Sequence, residues 1–342
     1  MGLRERIEGI HNEIDFTGSI LAEDRNGALL LNESFGFANR SEQIPNTPST
    51  RFGIASGCKL FTAIAVLQLI EKGKVSLDTK IKDVLIYDFK HFDEDITIHH
   101  LLTHTAGIPD YFDEEVMGDF EELWIQTPMY RVRQLEDFLP LFQHLPMKSK
   151  VGERFDYNNA GYILLGLIVE QASQSRFDEY VVKNIFQKAG MTSSGYFEMD
   201  ALPARTAQGY IDFEDGRWKT NIYSLPAKGG ADGGAFVTVH DMARLWEALM
   251  NYSLLNEETT KLLLTPYANE NEEDYYGYGV WIKKKNETIF KYHVMGYDPG
   301  VNFHSAYYPD SSIKVVICSN KSTGAFQVMS GIEGELIKGT IL

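Results

Sequence analysis

The sequence predicts an α+β protein: an antiparallel sheet flanked by helices, built from both ends of the chain, with an all-helical lobe inserted between them. Three observations predict it. Hairpin-linked strand patterns occur close to the N-terminus and again close to the C-terminus. Each group is accompanied by a stretch of helical periodicity. The chain between about residues 60 and 265 reads mostly as helix. The expected division is therefore 1–75 together with 225–342 as a sheet-and-helix lobe, and 76–224 as a mostly helical lobe. A cleft between two such lobes is the default place for a ligand.

The elements follow in order. Residues 3–14 place Ile7, Ile10 and Ile14 on one side of a helix. Residues 18–23 and 28–37 read as strands. Asn26-Gly27 between them predicts a two-residue hairpin with positive φ at both central positions. Leu60 to Ile70 is apolar on nearly every face, hence a buried helix, and Lys72-Gly73 is its stop. Near the C-terminus, 278–283, 288–293, 300–307 and 313–319 read as strands. Lys285-Asn286 and the Pro309 to Ser312 tetrapeptide supply turns. A last helix over 323–337 carries Phe326, Met329, Ile332 and Leu336.

Composition narrows the function. Among 342 residues, 32 Lys and Arg face 48 Asp and Glu, a formal charge of −16. Nucleic acid is not an expected partner, because phosphate binding needs a basic face. No polybasic stretch exists to dock an anionic bilayer. The opening MGLRERIEGIHNEI has charges where an export signal needs an apolar run. The longest apolar run falls short of the roughly 18 residues of a membrane span. The expectation is a cytoplasmic protein without a membrane span. Cys58 and Cys318 are expected to be reduced thiols.

The chemistry starts at Ser56. Ser56 and Lys59 form Ser-x-x-Lys at the start of the buried helix, so their side chains meet on one helical face. A helix start offers unpaired N–H groups and the positive end of the dipole. A serine hydroxyl needs an adjacent base to become a nucleophile, and a buried lysine can serve. Taken alone, the same four residues also describe an N-cap followed by a surface lysine. Further along, Tyr157 and Asn159 precede a second apolar helix. A phenol beside a positive charge can shuttle a proton, though a capping Asn and a packing Tyr give the same pattern.

Together these stretches resemble the penicillin-binding-protein and class C β-lactamase-related serine hydrolases. The matching segments are 52–63, the IHHLLTHTAGIPDY stretch over 98–111, 155–170, 229–249 and 276–281. The resemblance implies the β-lactamase/transpeptidase-like fold. By resemblance, Ser56 is the acylated nucleophile, Lys59 its partner base and Tyr157 the proton shuttle. Asn159 orients the substrate amide. No cofactor and no metal are implied. The substrate implied is a small molecule or short peptide: D-Ala-type peptides, esters or β-lactams. A catalytically impaired binding protein on the same scaffold is the alternative.

The chain departs from that pattern at the third motif, where the family carries Lys-Thr-Gly or His-x-Gly on a strand opposite the serine. The stretch here is Tyr-His293-Val-Met295-Gly296-Tyr297-Asp-Pro-Gly. Either a one-residue bulge keeps His293 facing the site, or Val294 occupies the family's Lys/His position. The second register is favoured. It removes a cation near the substrate and weighs against carboxylate-bearing substrates. His293, Met295, Gly296 and Tyr297 are the expected substrate-binding residues. The second oxyanion N–H comes from Tyr297 on this register and from Gly296 on the other.

Other residues are set aside. His100 and His104 stand at i, i+4, but Leu101 occupies the Glu position of His-Glu-x-x-His, so no metal is expected. Cys58 points away from the Ser56/Lys59 face. The acidic runs 113–115 and 270–274 read as solvated loops. The glycine run 229–234 reads as a tight turn beside the cleft.

Overall fold

The computed structural model describes residues 2–113 and 116–337; Glu114 and Glu115 of the first acidic run lie outside the described residues. The sheet has eight strands: β1 (Gly18–Glu23), β2 (Leu29–Phe35), β3 (Ala268–Asn269), β4 (Asp274–Tyr276), β5 (Trp281–Lys285), β6 (Thr288–Asp298), β7 (Val301–Tyr308) and β8 (Ile313–Ser319). Their order is β2-β1-β8-β7-β6-β5-β4-β3, and every pairing is antiparallel. The two ends of the chain meet at β1 and β8, from Gly18 opposite Ser319 to Glu23 opposite Lys314.

Period-2 alternation sorts the side chains of these strands between two cores. Ile20, Ala22, Val315, Ile317 and Ala306 face the terminal helices α1 (Leu3–Ile14) and α5 (Ala325–Ile337) and pack on Ile7, Ile10 and Ile332. Leu21, Val316, Cys318, Phe303 and Val294 face the opposite way. They belong to the larger core with α2 (Lys59–Glu71), α3 (Asn159–Ser173) and α4 (Val239–Met250). Strand β8 is buried on both faces along its whole length. That is why its sequence is an apolar run and not an alternating one.

Two turns exchange the geometry expected of them. At Asn26-Gly27 only Gly27 has positive φ, at +77°. The Asp24 carboxylate accepts the N–H groups of Asn26 and Ala28, both at 2.8 Å, and holds a wider turn. The mirror-type two-residue hairpin lies instead at Asn286 and Glu287, with φ +49° and +64°, between paired Lys285 and Thr288. Strand β5 starts at Trp281, later than expected, and β6 runs on to Asp298, past its expected end. The acidic run 270–274 is not wholly loop, since Asp274 starts β4 and meets Lys283 Nζ at 3.1 Å. Among the described residues no helix is long and apolar enough to cross a membrane.

Candidate active site

Ser56 sits in a single 3-10 turn, Ala55–Cys58, that feeds α2 at Lys59. The turn is entered from Phe52–Gly53, which pairs with Phe236–Val237. Ala55 has φ +44°, a conformation costly for a residue with a Cβ. That bend brings Ser56, part-exposed, to the wall of a cleft of about 330 Å³.

Lys59 is only 1 % exposed, because the helix it begins is apolar all round. Its Nζ lies 2.9 Å from Ser56 Oγ, 2.8 Å from Asn159 Oδ1 and 2.8 Å from the Asp232 carbonyl oxygen. The Tyr157 ring centroid is 4.9 Å from the same nitrogen. Tyr157 is wedged between Trp281, stacked at 6.1 Å, and His104 at 4.5 Å. Ser56, Lys59, Tyr157 and Asn159 thus converge on one point. A buried amine needs such partners, since burial without them is expensive.

Helix α3 supplies Asn159. Asn158, not Asn159, is the N-cap, its Oδ1 accepting from Gly161 N at 2.8 Å. Asn159 is left for the cleft, held from behind by the buried Asp110. That carboxylate accepts Asn159 N at 2.8 Å, Asn159 Nδ2 at 3.2 Å, Ala160 N at 2.9 Å and Tyr111 N at 2.8 Å. Burial raises the Asp110 carboxyl to about 7, against the opposing pull of those N–H groups. A second buried carboxylate, Asp232, accepts the Tyr111 hydroxyl, and burial raises it as well. Asp232 rides on the glycine turn 229–234, closed by Gly230 N to Gly233 O at 2.8 Å. Sequence reasoning assigned no role to Asp110 or Asp232. The available signal was an acidic residue inside an otherwise apolar or glycine-rich segment.

The third motif takes the register without a bulge. Pairing runs unbroken from Tyr292 opposite Tyr307 to Asp298 opposite Val301. Val294 and Gly296 therefore face the Ser56 turn. A Cβ on Gly296 would stand 2.0 Å from the Ile54 carbonyl oxygen. The bulged alternative, with His293 facing the site, is corrected by this register. His293 and Met295 share the terminal-helix face, where His293 stacks on His304 at 6.2 Å. The structure does not bring either side chain to the cleft. Tyr297, half-exposed at the strand end, lines the cleft, and its hydroxyl meets His304 Nε2 at 3.1 Å.

The histidines of the 98–104 segment and Cys58 are engaged elsewhere. His99 Nδ1 meets the Tyr278 hydroxyl at 2.8 Å, and His100 Nδ1 lies 3.0 Å from Thr97 Oγ1 at a helix start. His104 accepts Asn158 N at 3.0 Å and is buried among aromatic rings. Cys58 is a buried free thiol whose pKa burial pushes up to about 12.

An antiparallel sheet with terminal helices on one face, helices on the other, and Ser-x-x-Lys at their seam defines the β-lactamase/transpeptidase-like class. More narrowly, the chain belongs to the Beta-lactamase family, whose sequence profile matches residues 3–334. It therefore has a serine-hydrolase scaffold. A penicillin binding protein from Bacillus halodurans is 59% identical, with TM-score 0.93 over 96% of this chain and 99% of that one. The octameric penicillin-binding protein homologue from Pyrococcus abyssi is 28% identical, with TM-score 0.86 over 98% of this chain and 77% of that one. The D-amino acid amidase from Ochrobactrum anthropi SV3 shares the fold at 20% identity, with TM-score 0.82 over 99% of each chain.

Proposed function

We propose that the protein hydrolyses an ester or amide through an acyl-enzyme on Ser56. The observation that carries this reading is the set of contacts around Lys59 Nζ. A base at this position must be the neutral amine; Asn159 Oδ1 and the Asp232 carbonyl can only accept, so in that form each takes one of its N–H groups. The lone pair is then left for the Ser56 hydroxyl hydrogen, 2.9 Å away. Lys59 takes that proton as Ser56 Oγ bonds to the substrate carbonyl carbon. The proton returns to the departing alcohol or amine by way of Tyr157, and the carbon–leaving-group bond breaks. Water then attacks the acyl-enzyme, with the same base taking its proton, and the acid and free serine are released. The N–H groups of Ser56 and Tyr297 are the candidates to hold the oxyanion, given how closely Gly296 rests on the turn before Ser56.

The test is hydrolysis of p-nitrophenyl acetate by wild type and Ser56→Ala. An initial burst followed by turnover, both lost in the variant, is the expected result. Equal rates in the two proteins would overturn the mechanism and leave a binding protein on the same scaffold.

A further inference from the structure

We propose that this cleft selects substrates that carry an ammonium group and no carboxylate, with Asp298 facing the ammonium; the inference rests on the serine-hydrolase reading above. Among the described residues that line the cleft there is no Lys, Arg or His, whereas Asp119, Asp232 and Asp298 all line it. Lys59 stands behind Ser56 with its nitrogen held by three oxygens, so it is not available to a substrate carboxylate. The strand position that faces the Ser56 turn holds Val294, which is apolar and buried.

Asp298 is placed for this role by the strand. It lies two residues beyond Gly296 on the same face, roughly 7 Å further along. Gly296 itself touches Ile54 and Ala55, immediately before the nucleophile. Asp298 is also within electrostatic reach of Tyr111, whose phenol it helps to push above its usual range. Tyr111 in turn donates to Asp232. Acidic side chains thus stand on two sides of the cleft, Asp298 on β6 and Asp232 on the glycine turn.

The rest of the lining is aromatic. Tyr111, Phe112, Phe120 and Phe236 wall the cleft, and aromatic faces attract cations as well as apolar groups. A substrate carboxylate would add another negative charge to a cleft whose described lining residues include Asp119, Asp232 and Asp298 and no Lys, Arg or His. An ammonium meets opposite charge instead. The overall charge of −16 acts in the same sense on approach.

The test uses leucine p-nitroanilide, N-acetyl-leucine p-nitroanilide and N-succinyl-leucine p-nitroanilide, each as both enantiomers, with p-nitrophenyl acetate alongside. The free amine is expected to exceed the acetyl compound in kcat/KM by about tenfold or more, with the succinyl compound lowest. In Asp298→Asn the amine-to-acetyl ratio is expected to collapse to within about threefold. Taking a ratio within each protein cancels any general loss of activity in the variant. A succinyl compound that equals the amine, or a ratio unchanged in Asp298→Asn, would overturn the proposal. Ser56-dependent turnover of p-nitrophenyl acetate without a charge preference would sink this inference and leave the hydrolase standing. Should no anilide turn over, calorimetric titration of Ser56→Ala with leucinamide and N-succinyl-leucinamide decides it. Tighter leucinamide binding supports the proposal, and equal or tighter succinyl binding overturns it.

Discussion

Asn159 has a carboxamide that can be turned either way, and two neighbours fix it. Lys59 donates to its Oδ1, so its Nδ2 must point to Asp110, which accepts it at 3.2 Å. On the proposed mechanism Asp110 is a positioning residue: it sets the orientation of Asn159 and, through it, one of the acceptors around the Lys59 amine. An Asn at 110 would set an NH2 group against N–H donors on one side of the carboxamide. Asp110→Asn is expected to cost about 1–3 kcal/mol of transition-state stabilisation, roughly fivefold to 150-fold in kcat/KM. A purely structural loss at the start of α3 would lower Tm equally whatever stands at 159. The double-mutant cycle separates the two. In an Asn159→Ala background, Asp110→Asn is expected to cost little further activity while still lowering Tm. Full additivity in kcat/KM would refute the relay.

At the scale of elements, the site depends on one strand end resting on one turn. Strand β6 outruns β5, and its last residues lie against the Ile54–Ala55 bend that carries Ser56. Gly296 permits that approach: a methyl there would meet the Ile54 carbonyl at 2.0 Å, inside any allowed contact. Gly296→Ala is expected to push the strand from the turn and reduce the Ser56-dependent burst and turnover by more than about a hundredfold, since such sites tolerate little displacement. Wild-type rates in Gly296→Ala would disprove the dependence. The same elements mark what the sequence made legible. Ser56 and Lys59 stood out as Ser-x-x-Lys at the start of an apolar helix, whereas Tyr157 and Asn159 stood out only through the family resemblance. The far end of β6 was not, because Val294 to Asp298 shows no alternation from which to extend a strand. The Asn26-Gly27 turn misled because a neighbour, Asp24, captures two N–H groups and sets a different loop. Asp110 and Asp232 escaped notice because acidic residues are ordinarily exposed, and only tertiary packing buries this pair.

On the scale of the whole molecule, burial opposes protonation at histidines, His104, His293 and His304 among them, and favours it at acids that include Asp110 and Asp232. His104 and His293 are held well below the usual range by burial, and His304 is brought down to about 3. Each takes a proton more readily once unfolded, so its stabilising contribution is present above about pH 6.5 and is lost as pH falls toward the folded value. Asp110 and Asp232 act in the opposite sense. Their raised folded values give a contribution that is complete only at low pH and is lost as pH rises through the folded value, about 7 for Asp110. His293 is the group to change. It lies on the terminal-helix face, its two ring nitrogens have no hydrogen-bond partner among the described residues, and burial first, then Lys291, His304 and Lys283, disfavours its charge. Met at 293 keeps comparable volume without a proton to exclude. Guanidinium unfolding midpoints for wild type and His293→Met, compared at pH 7.5 and pH 5, test this. The variant is expected to match or exceed wild type at pH 7.5 and to exceed it by about 1–2 kcal/mol more at pH 5. Parallel pH dependences in the two proteins would mean that His293 is not among the groups that set acid stability.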